Sequence, residues 1–382
     1  MAGYFSETYA GEPLAINYLN SDITVYRDIP YGSGFLQKTD WYVPTGTTKG
    51  VIIFFHGGGW SGGSKSASGF TSGADAYTNN DDAQMQLVAR NGYAVVNCNY
   101  RLTSSGSASS GYGGNADGFY PNNISDVETI LTNTYVYGAG NAYSTTWNNL
   151  YDYQIAAGGK VMVCGVSAGG HLAMMGSGNF IANTINRPRS VVSISGPMDL
   201  VSDNTNNRID SIILNQVINP VYTTPEIRAL ASPRARYGNV AYPGAWYSVL
   251  SNANTKFYFT VNTNDTLVRQ TMTLPFANVL PVANTTVNLI TEGPTAAGWP
   301  GTTDVTFKGS TVTLPSTGQT LGDCWLYTAP GDVARFWTYN AGTYAGDLTY
   351  PASINGFTPW FDHFTTTSLS SLILRAANAT LV

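Results

Sequence analysis

The chain predicts an α/β fold: a mostly parallel central sheet with helices on both faces. Three observations carry that expectation. Short apolar runs alternate with longer helical patterns, as they do in strand–helix–strand units. Two of the runs, Val51 to Phe55 (VIIFF) and Lys160 to Cys164 (KVMVC), are apolar on both faces, as strands covered on both sides are. Hydrophobic residues make up 43% of the 382 residues and aromatics 13%, enough to fill a sizeable core and to exclude a disordered chain.

Taken in order, Lys38 to Val43 reads as an early strand and Val51 to Phe55 as a buried one. Asp81 to Asn91 is a helix stopped by Gly92, because glycine accepts the left-handed backbone that ends helices. Tyr93 to Asn97 is the next strand, Asn122 to Val136 a helix and Lys160 to Cys164 a central strand. A helix over Ala168 to Phe180 follows at once, then a strand over Ser190 to Ile194. Asn206 to Ile218 and Pro225 to Ala231 read as helical. Lys256 to Val261 is a strand, Val268 to Val279 a helix, Thr286 to Ile290 the last sheet strand and Phe364 to Ala377 a closing helix. From Gly293 to Pro359 this rhythm fails. Short β-type runs at Val305 to Lys308, Thr311 to Leu314, Cys324 to Tyr327 and Arg335 to Tyr339 are separated there by turn residues. The expected organisation is therefore one catalytic domain from 1–292 and 360–382, interrupted by a β-rich insertion over 293–359. That insertion is expected to act as a lid or binding module, with some of its aromatics, Trp299 and Trp325 among them, facing the cleft.

Charge excludes some functions. Lys and Arg number 18 and Asp and Glu 23, a net charge of −5, and charged residues are only 11% of the chain. No basic cluster is present to line a nucleic-acid groove, so no nucleic-acid partner is expected. No apolar run approaches the roughly 18 residues of a membrane span. Residues Met1 to Glu12 lack the basic start and apolar stretch of a signal peptide. The hydroxyl- and amide-rich composition, with 25 Tyr, points to an extracellular or virion-associated protein. The three cysteines, Cys98, Cys164 and Cys324, are odd in number and widely spaced, which argues against a disulfide framework and a zinc site. No metal and no cofactor is expected.

The chemistry is carried by two motifs. Gly165-Val166-Ser167-Ala168-Gly169 stands between the strand KVMVC and a helix. A nucleophile elbow needs that strand–turn–helix setting, which lifts a serine hydroxyl above the sheet. His56-Gly57-Gly58-Gly59-Trp60 follows the strand VIIFF, and consecutive glycines let backbone N–H groups approach an oxyanion closely. Gly58, Gly59 and Ala168 are the expected oxyanion donors, with Ser167 the nucleophile. Of the three histidines, His56 belongs to the glycine loop and His171 lies one turn into the elbow helix, where a structural role is expected. Only His363 follows both other members in the chain order Ser, Asp or Glu, His, so it is the expected base. Asp265 is the only carboxylate on the loop after KFYFTV and is the expected acid, with Asp199 the alternative. Trp60 and Trp360 are open to two readings, as walls of an acyl or alcohol pocket or as core aromatics.

Together these residues resemble the α/β-hydrolase fold in its serine esterase branch, and most nearly the carboxylesterases grouped with hormone-sensitive lipase and with the feruloyl and acetylxylan esterases. His56 to Lys65 (HGGGWSGGSK) is similar to the oxyanion loop of that family, and Asn99-Tyr100-Arg101-Leu102 to the segment that closes its next strand. Gly165 to Ala173 (GVSAGGHLA) resembles the feruloyl and acetylxylan elbow, in which the position of His171 is a family feature and not the base. Asp126-Val127, Ser195-Gly196-Pro197, Ala231-Ser232-Pro233 and Asn264 to Val268 also fit, so the likeness covers about 35–292 and 360–380. Two departures stand out. Val166 occupies the position where the lipase-like branch has Asp. The β-rich segment intervenes before His363, which is thus assigned by order and not by spacing.

The resemblance implies a metal-independent serine hydrolase that cleaves carboxylic esters through an acyl-enzyme, on a small-molecule or polysaccharide substrate such as an acetyl or feruloyl ester. Two alternatives stay open on the sequence: an amidase, formamidase or peptidase on the same fold, and a non-catalytic virion or binding protein with a hydrolase fold.

Overall fold

A computed structural model of the chain describes residues 8–9, 12–13, 23–65, 81–103, 118–136, 144–183, 186–201, 218, 221–238, 246, 250, 254–262, 268, 272–273, 276–277, 280–281, 284–290, 302–307, 310–315, 324–327, 335–340, 343–345 and 369–381. Its strands, in chain order, begin with the short antiparallel pair Thr8–Tyr9 (β1) and Glu12–Pro13 (β2). Then come Ile23–Pro30 (β3), Lys38–Pro44 (β4), Gly50–Phe55 (β5), Tyr93–Cys98 (β6), Val161–Val166 (β7), Ser190–Ile194 (β8), Lys256–Asn262 (β9) and Thr285–Ile290 (β10). The helices are Asp81–Arg90 (α1), Asn122–Tyr135 (α2), Ser144–Ala156 (α3), Ala168–Asn183 (α4), Pro225–Leu230 (α5), Pro233–Gly238 (α6) and Leu369–Thr380 (α7).

Strands β3 to β10 form one eight-stranded sheet in the order β10-β9-β8-β7-β5-β6-β4-β3. All neighbours from β10 to β6 run parallel, while β4 pairs antiparallel with both β6 and β3. The fold is that of an α/β-hydrolase, as expected.

Side chains alternate across a strand, so each central strand feeds two cores. Val51, Ile53 and Phe55 of β5, with Val161 and Val163 of β7 and Val191 of β8, pack with α2, α3 and α4 through Val127, Ile130, Trp147 and Leu172. Ile52 and Phe54, with Met162, Cys164, Val192 and Ile194, pack on the other face against Met85 and Val88 of α1 and Leu372 and Ile373 of α7. Complete burial on both faces explains why these strands read as continuous apolar runs. Parallel order also gathers the C-terminal ends of β5, β7, β8 and β9 on one edge, which is where ligands bind in such sheets.

Most expected elements occur within a few residues of their predicted bounds. The segment 206–218, apart from Ile218, and most of 268–279 lie outside the described residues. The closing helix begins at Leu369 among the described residues and runs three residues past Ala377. Strands β1, β2 and β3 and helices α3 and α6 are additions. Within the β-rich segment, Thr302–Phe307 (β11) pairs antiparallel with Ser310–Pro315 (β12). Cys324–Tyr327 (β13), Arg335–Asn340 (β14) and Thr343–Ala345 (β15) form a three-stranded antiparallel sheet. Of the aromatics expected to face the cleft, Trp299 lies outside the described residues, and the strands that carry the others are described by their backbone alone. Among the described residues no helix is long and apolar enough to cross a membrane.

Helices α2 and α4 meet where Gly176 faces Val127. A Cβ on Gly176 would lie 2.4 Å from the Val127 Cβ. Alanine favours a helix over glycine by about 1 kcal/mol, but forcing a methyl into a packed contact costs about 1–3 kcal/mol. Gly176→Ala should therefore lower the urea midpoint. An unchanged or raised midpoint would show that α2 and α4 can separate freely.

Candidate active site

Ser167 stands between the last residue of β7 and the first of α4, with φ +55°. Serine rarely adopts that left-handed backbone, and such strain clusters where function requires a particular side-chain direction. Two bonds hold the turn: Ser167 N–H donates to the Ile194 carbonyl on β8 (2.8 Å), and His171 N–H donates to the Ser167 carbonyl (3.1 Å).

The elbow is pressed against the end of β5. A Cβ on Gly169 would lie 2.1 Å from the Phe55 carbonyl oxygen and 2.4 Å from that of His56, so only glycine fits there. A Cβ on Gly165 would lie 2.3 Å from the Gly169 carbonyl carbon. The chain leaving β5, which becomes the glycine loop, therefore starts in backbone contact with the helix that carries Ser167 and Ala168.

The loop's peptide planes are set by what its carbonyls bind. The Gly57 carbonyl takes the His56 Nδ1–H (2.6 Å), and the Tyr100 hydroxyl donates to the carbonyls of His56 (3.1 Å) and Gly57 (3.5 Å). The His56 and Tyr100 rings are stacked at 4.3 Å, and both are buried. In a planar trans peptide the carbonyl and the next N–H point opposite ways. Holding the Gly57 carbonyl in the core therefore turns the Gly58 N–H outward. The Gly58 carbonyl accepts from Ser61 N–H (3.1 Å) and Gly62 N–H (2.9 Å), which sets the Gly59 N–H in the same manner. Gly58 has φ +123°, and a Cβ there would lie 2.0 Å from the Gly62 carbonyl oxygen. No bond to another described residue occupies the N–H of Gly58, Gly59 or Ala168. The first N–H groups of α4 carry the positive end of its dipole. These groups are suited to hold negative charge beside Ser167.

The loop's far end is anchored by Lys65. Its ammonium contacts Asp40 Oδ1 (2.7 Å), and Asp40 also accepts from Arg27 (2.8 Å). Lys65 N–H donates to Asn99 Oδ1 (2.6 Å). Next to it, the Arg101 guanidinium pairs with the fully buried Asp126 (2.7 Å), fastening the segment after β6 to α2.

Two histidines hold structural positions. His171 is completely buried; Trp60 Nε1–H donates to its Nδ1 (3.2 Å), so the proton sits on Nε2 and is donated to the Ala231 carbonyl (2.6 Å). Burial lowers the His171 and His56 pKa values from 6.5 to about 4. Neither imidazole has a free nitrogen lone pair on its Nδ1. Asp199 is held by Arg234 (2.7 Å) and by Val201 N–H (3.1 Å), which commits it elsewhere. Trp60 is 2% exposed and lies edge-on to His171 and Tyr222, each at 5.2 Å. An indole so enclosed packs against the core. Asp265, His363 and Trp360 lie outside the described residues; β9 ends at Asn262 on the edge that carries Ser167. Among the described residues no group of three or more His, Cys, Asp or Glu could hold a metal ion.

Sequence reasoning missed the Trp60–His171 bond and the clasp of Tyr100 on the loop. The signal for both was present, since each residue lies in a segment already singled out, but residue spacing does not say which side chains meet.

The buried histidines set an acid limit. The folded state keeps both neutral, whereas the unfolded chain takes up protons from about pH 6.5 downward. Stability from this source is complete above pH 6.5 and is lost as pH falls toward 4. Linkage gives a loss of about 2 kcal/mol per imidazole by pH 5. Urea midpoints should hold from pH 7.5 to about pH 6.5 and fall from there to pH 5, and a flat profile down to pH 5 would contradict the buried neutral pair.

The BD-FAE family model matches residues 39–237, just over half of the chain. No curated protein matches. Among solved structures, carboxyl esterase 2 from the mycorrhizal fungus Tuber melanosporum is 18% identical, with 72% of this chain and 78% of that one covered and a TM-score of 0.46. Esterase B from Lactobacillus rhamnosis is 16% identical, with 70% and 75% covered and a TM-score of 0.44. A bacterial heroin esterase is 16% identical, with 72% and 76% covered and a TM-score of 0.39. Likenesses this distant do not carry the assignment, which rests on the family match together with the sheet order and the elbow. The chain belongs to the BD-FAE family and has the α/β-hydrolase fold.

Proposed function

We propose that this chain is a carboxylic ester hydrolase that works through a Ser167–His363–Asp265 triad and an acyl-enzyme. The observation that carries the reading is Ser167 itself, held at φ +55° beside N–H groups that bind no other described residue. His363 takes the Ser167 hydroxyl proton as Oγ attacks the ester carbonyl carbon. Gly58, Gly59 and Ala168 hold the negative oxygen of the tetrahedral intermediate. The intermediate collapses, the ester C–O bond breaks, and His363 gives its proton to the departing alcohol. Water, deprotonated by His363, then cleaves the acyl-enzyme and regenerates Ser167. Asp265 holds the imidazole in the tautomer that accepts the serine proton. Support for His363 as base comes from His56 and His171, the other two histidines, whose buried rings are already bonded.

For substrate we propose acetyl or feruloyl esters of polysaccharide. The elbow sequence GVSAGGHLA and the β-rich segment before His363 favour that class. An amidase or peptidase on the same fold would instead prefer the matched amide to the short-chain ester.

Ser167→Ala should lower turnover of a 4-nitrophenyl acetate substrate by about 10⁶-fold while leaving the urea midpoint near that of the wild type. His363→Ala should be about as damaging, since triad members act as a unit. Wild-type turnover in pure Ser167→Ala protein, or a nearly active His363→Ala protein, would overturn the triad.

A further inference from the structure

Trp60 and His171 lie outside the chemistry proposed above, yet each is attached to one half of the oxyanion site. Trp60 closes the glycine loop, directly after Gly58 and Gly59. It has φ +60°, a conformation that an L-residue with a large side chain keeps only when its surroundings over-determine it. Its carbonyl accepts from Thr103 N–H (3.1 Å), and its indole is edge-on to both His171 and Tyr222. Its one polar atom, Nε1, donates to His171 Nδ1. His171 belongs to the first turn of α4, three residues after Ala168, and its own N–H is bonded to the Ser167 carbonyl. The other side of the imidazole is held by the Ala231 carbonyl, and the turn there is held in turn. Ser232 Oγ donates to the Met198 carbonyl (3.2 Å), and Arg234 N–H donates to the same carbonyl (3.0 Å). One imidazole thus joins the loop that supplies Gly58 and Gly59, the helix that supplies Ala168, and a turn braced against the segment after β8.

We propose that Trp60 and His171 are positioning residues whose hydrogen bond fixes the spacing between the two halves of the oxyanion hole. The proposal rests on the serine-hydrolase reading. The bond does not touch substrate, so it acts on the transition state through the placement of N–H donors. A donor displaced by about 1 Å costs up to about 10²-fold in rate, and complete loss of one costs about 10²–10³-fold. The effect belongs in kcat, because the ground-state ester does not yet carry the negative charge that these groups hold.

Trp60→Phe tests this directly, since it keeps an aromatic ring and removes only the Nε1 donor and part of the bulk. Kinetics on 4-nitrophenyl acetate should show kcat lowered about 10- to 100-fold with KM within about twofold. The inhibition constant of a trifluoromethyl ketone, whose adduct with the nucleophile places an oxyanion in the hole, should rise by the same factor as kcat falls. His171→Gln, which can still accept from the indole and donate to the Ala231 carbonyl, should retain more kcat than His171→Phe, which can do neither. Ser167→Ala measured alongside keeps the two claims separate, because turnover independent of Ser167 overturns the hydrolase mechanism whatever Trp60 does. With Ser167 essential, a Trp60→Phe kcat within twofold of wild type, or a loss confined to KM, would overturn the positioning role. So would failure of Trp60→Phe to fold, which would assign the bond to the fold and not to the hole.

Discussion

Everything at the site depends on one close approach of backbone to backbone. The first turn of the elbow helix lies against the carbonyls that end β5, so closely that Gly169 has room for hydrogen and nothing larger. From that contact the glycine loop departs on one side and Ser167 on the other. Parallel pairing of β5 with β7, with Phe55 opposite Gly165, places the two strand ends level with each other. A larger residue at 169 would drive the strand end and the helix apart, and would separate the loop donors from Ala168 with them.

Several polar groups around the site are held by paired contacts. His56 and Tyr100 hold the loop's carbonyls inward, Asp40 and Lys65 hold its far end, and Arg101 and Asp126 pin the neighbouring segment to α2. Burying such groups is costly unless they are paired, so this network specifies one arrangement of the loop more than it adds to stability. Neutral His171 serves here because it needs one donor and one acceptor nitrogen, an arrangement that protonation would destroy. The acid sensitivity of the fold and the orientation of the donors thus have one physical origin.

The central strands were legible in the sequence because they are covered on both faces. VIIFF and VMVC have no solvent side, so no polar residue breaks them, and a strand followed at once by Gly-Val-Ser-Ala-Gly places the elbow without further information. Strand β3 was not legible for the opposite reason. It is an edge strand whose residues 24–28 are exposed, and ITVYRDIP shows no apolar run. Helix α3 was hidden by composition. Its buried stripe of Trp147, Leu150 and Gln154 is short and set among Thr, Asn and Tyr, which are weak helix formers. At the site, glycine, serine and histidine types signalled the chemistry. The three-dimensional partners of Trp60 did not show, because the contact joins residues 111 apart in the chain. Nor does its position after three glycines reveal that its indole is buried.

The central claim is that Ser167 is a nucleophile activated in place, and covalent capture tests it most directly. Intact-mass measurement after treatment with a fluorophosphonate should show one phosphonyl group added per chain, with peptide mapping placing it on Ser167. Ser167→Ala protein under the same conditions should gain none. An unlabelled wild-type chain that still hydrolyses esters, or a label on any other residue, would contradict the account.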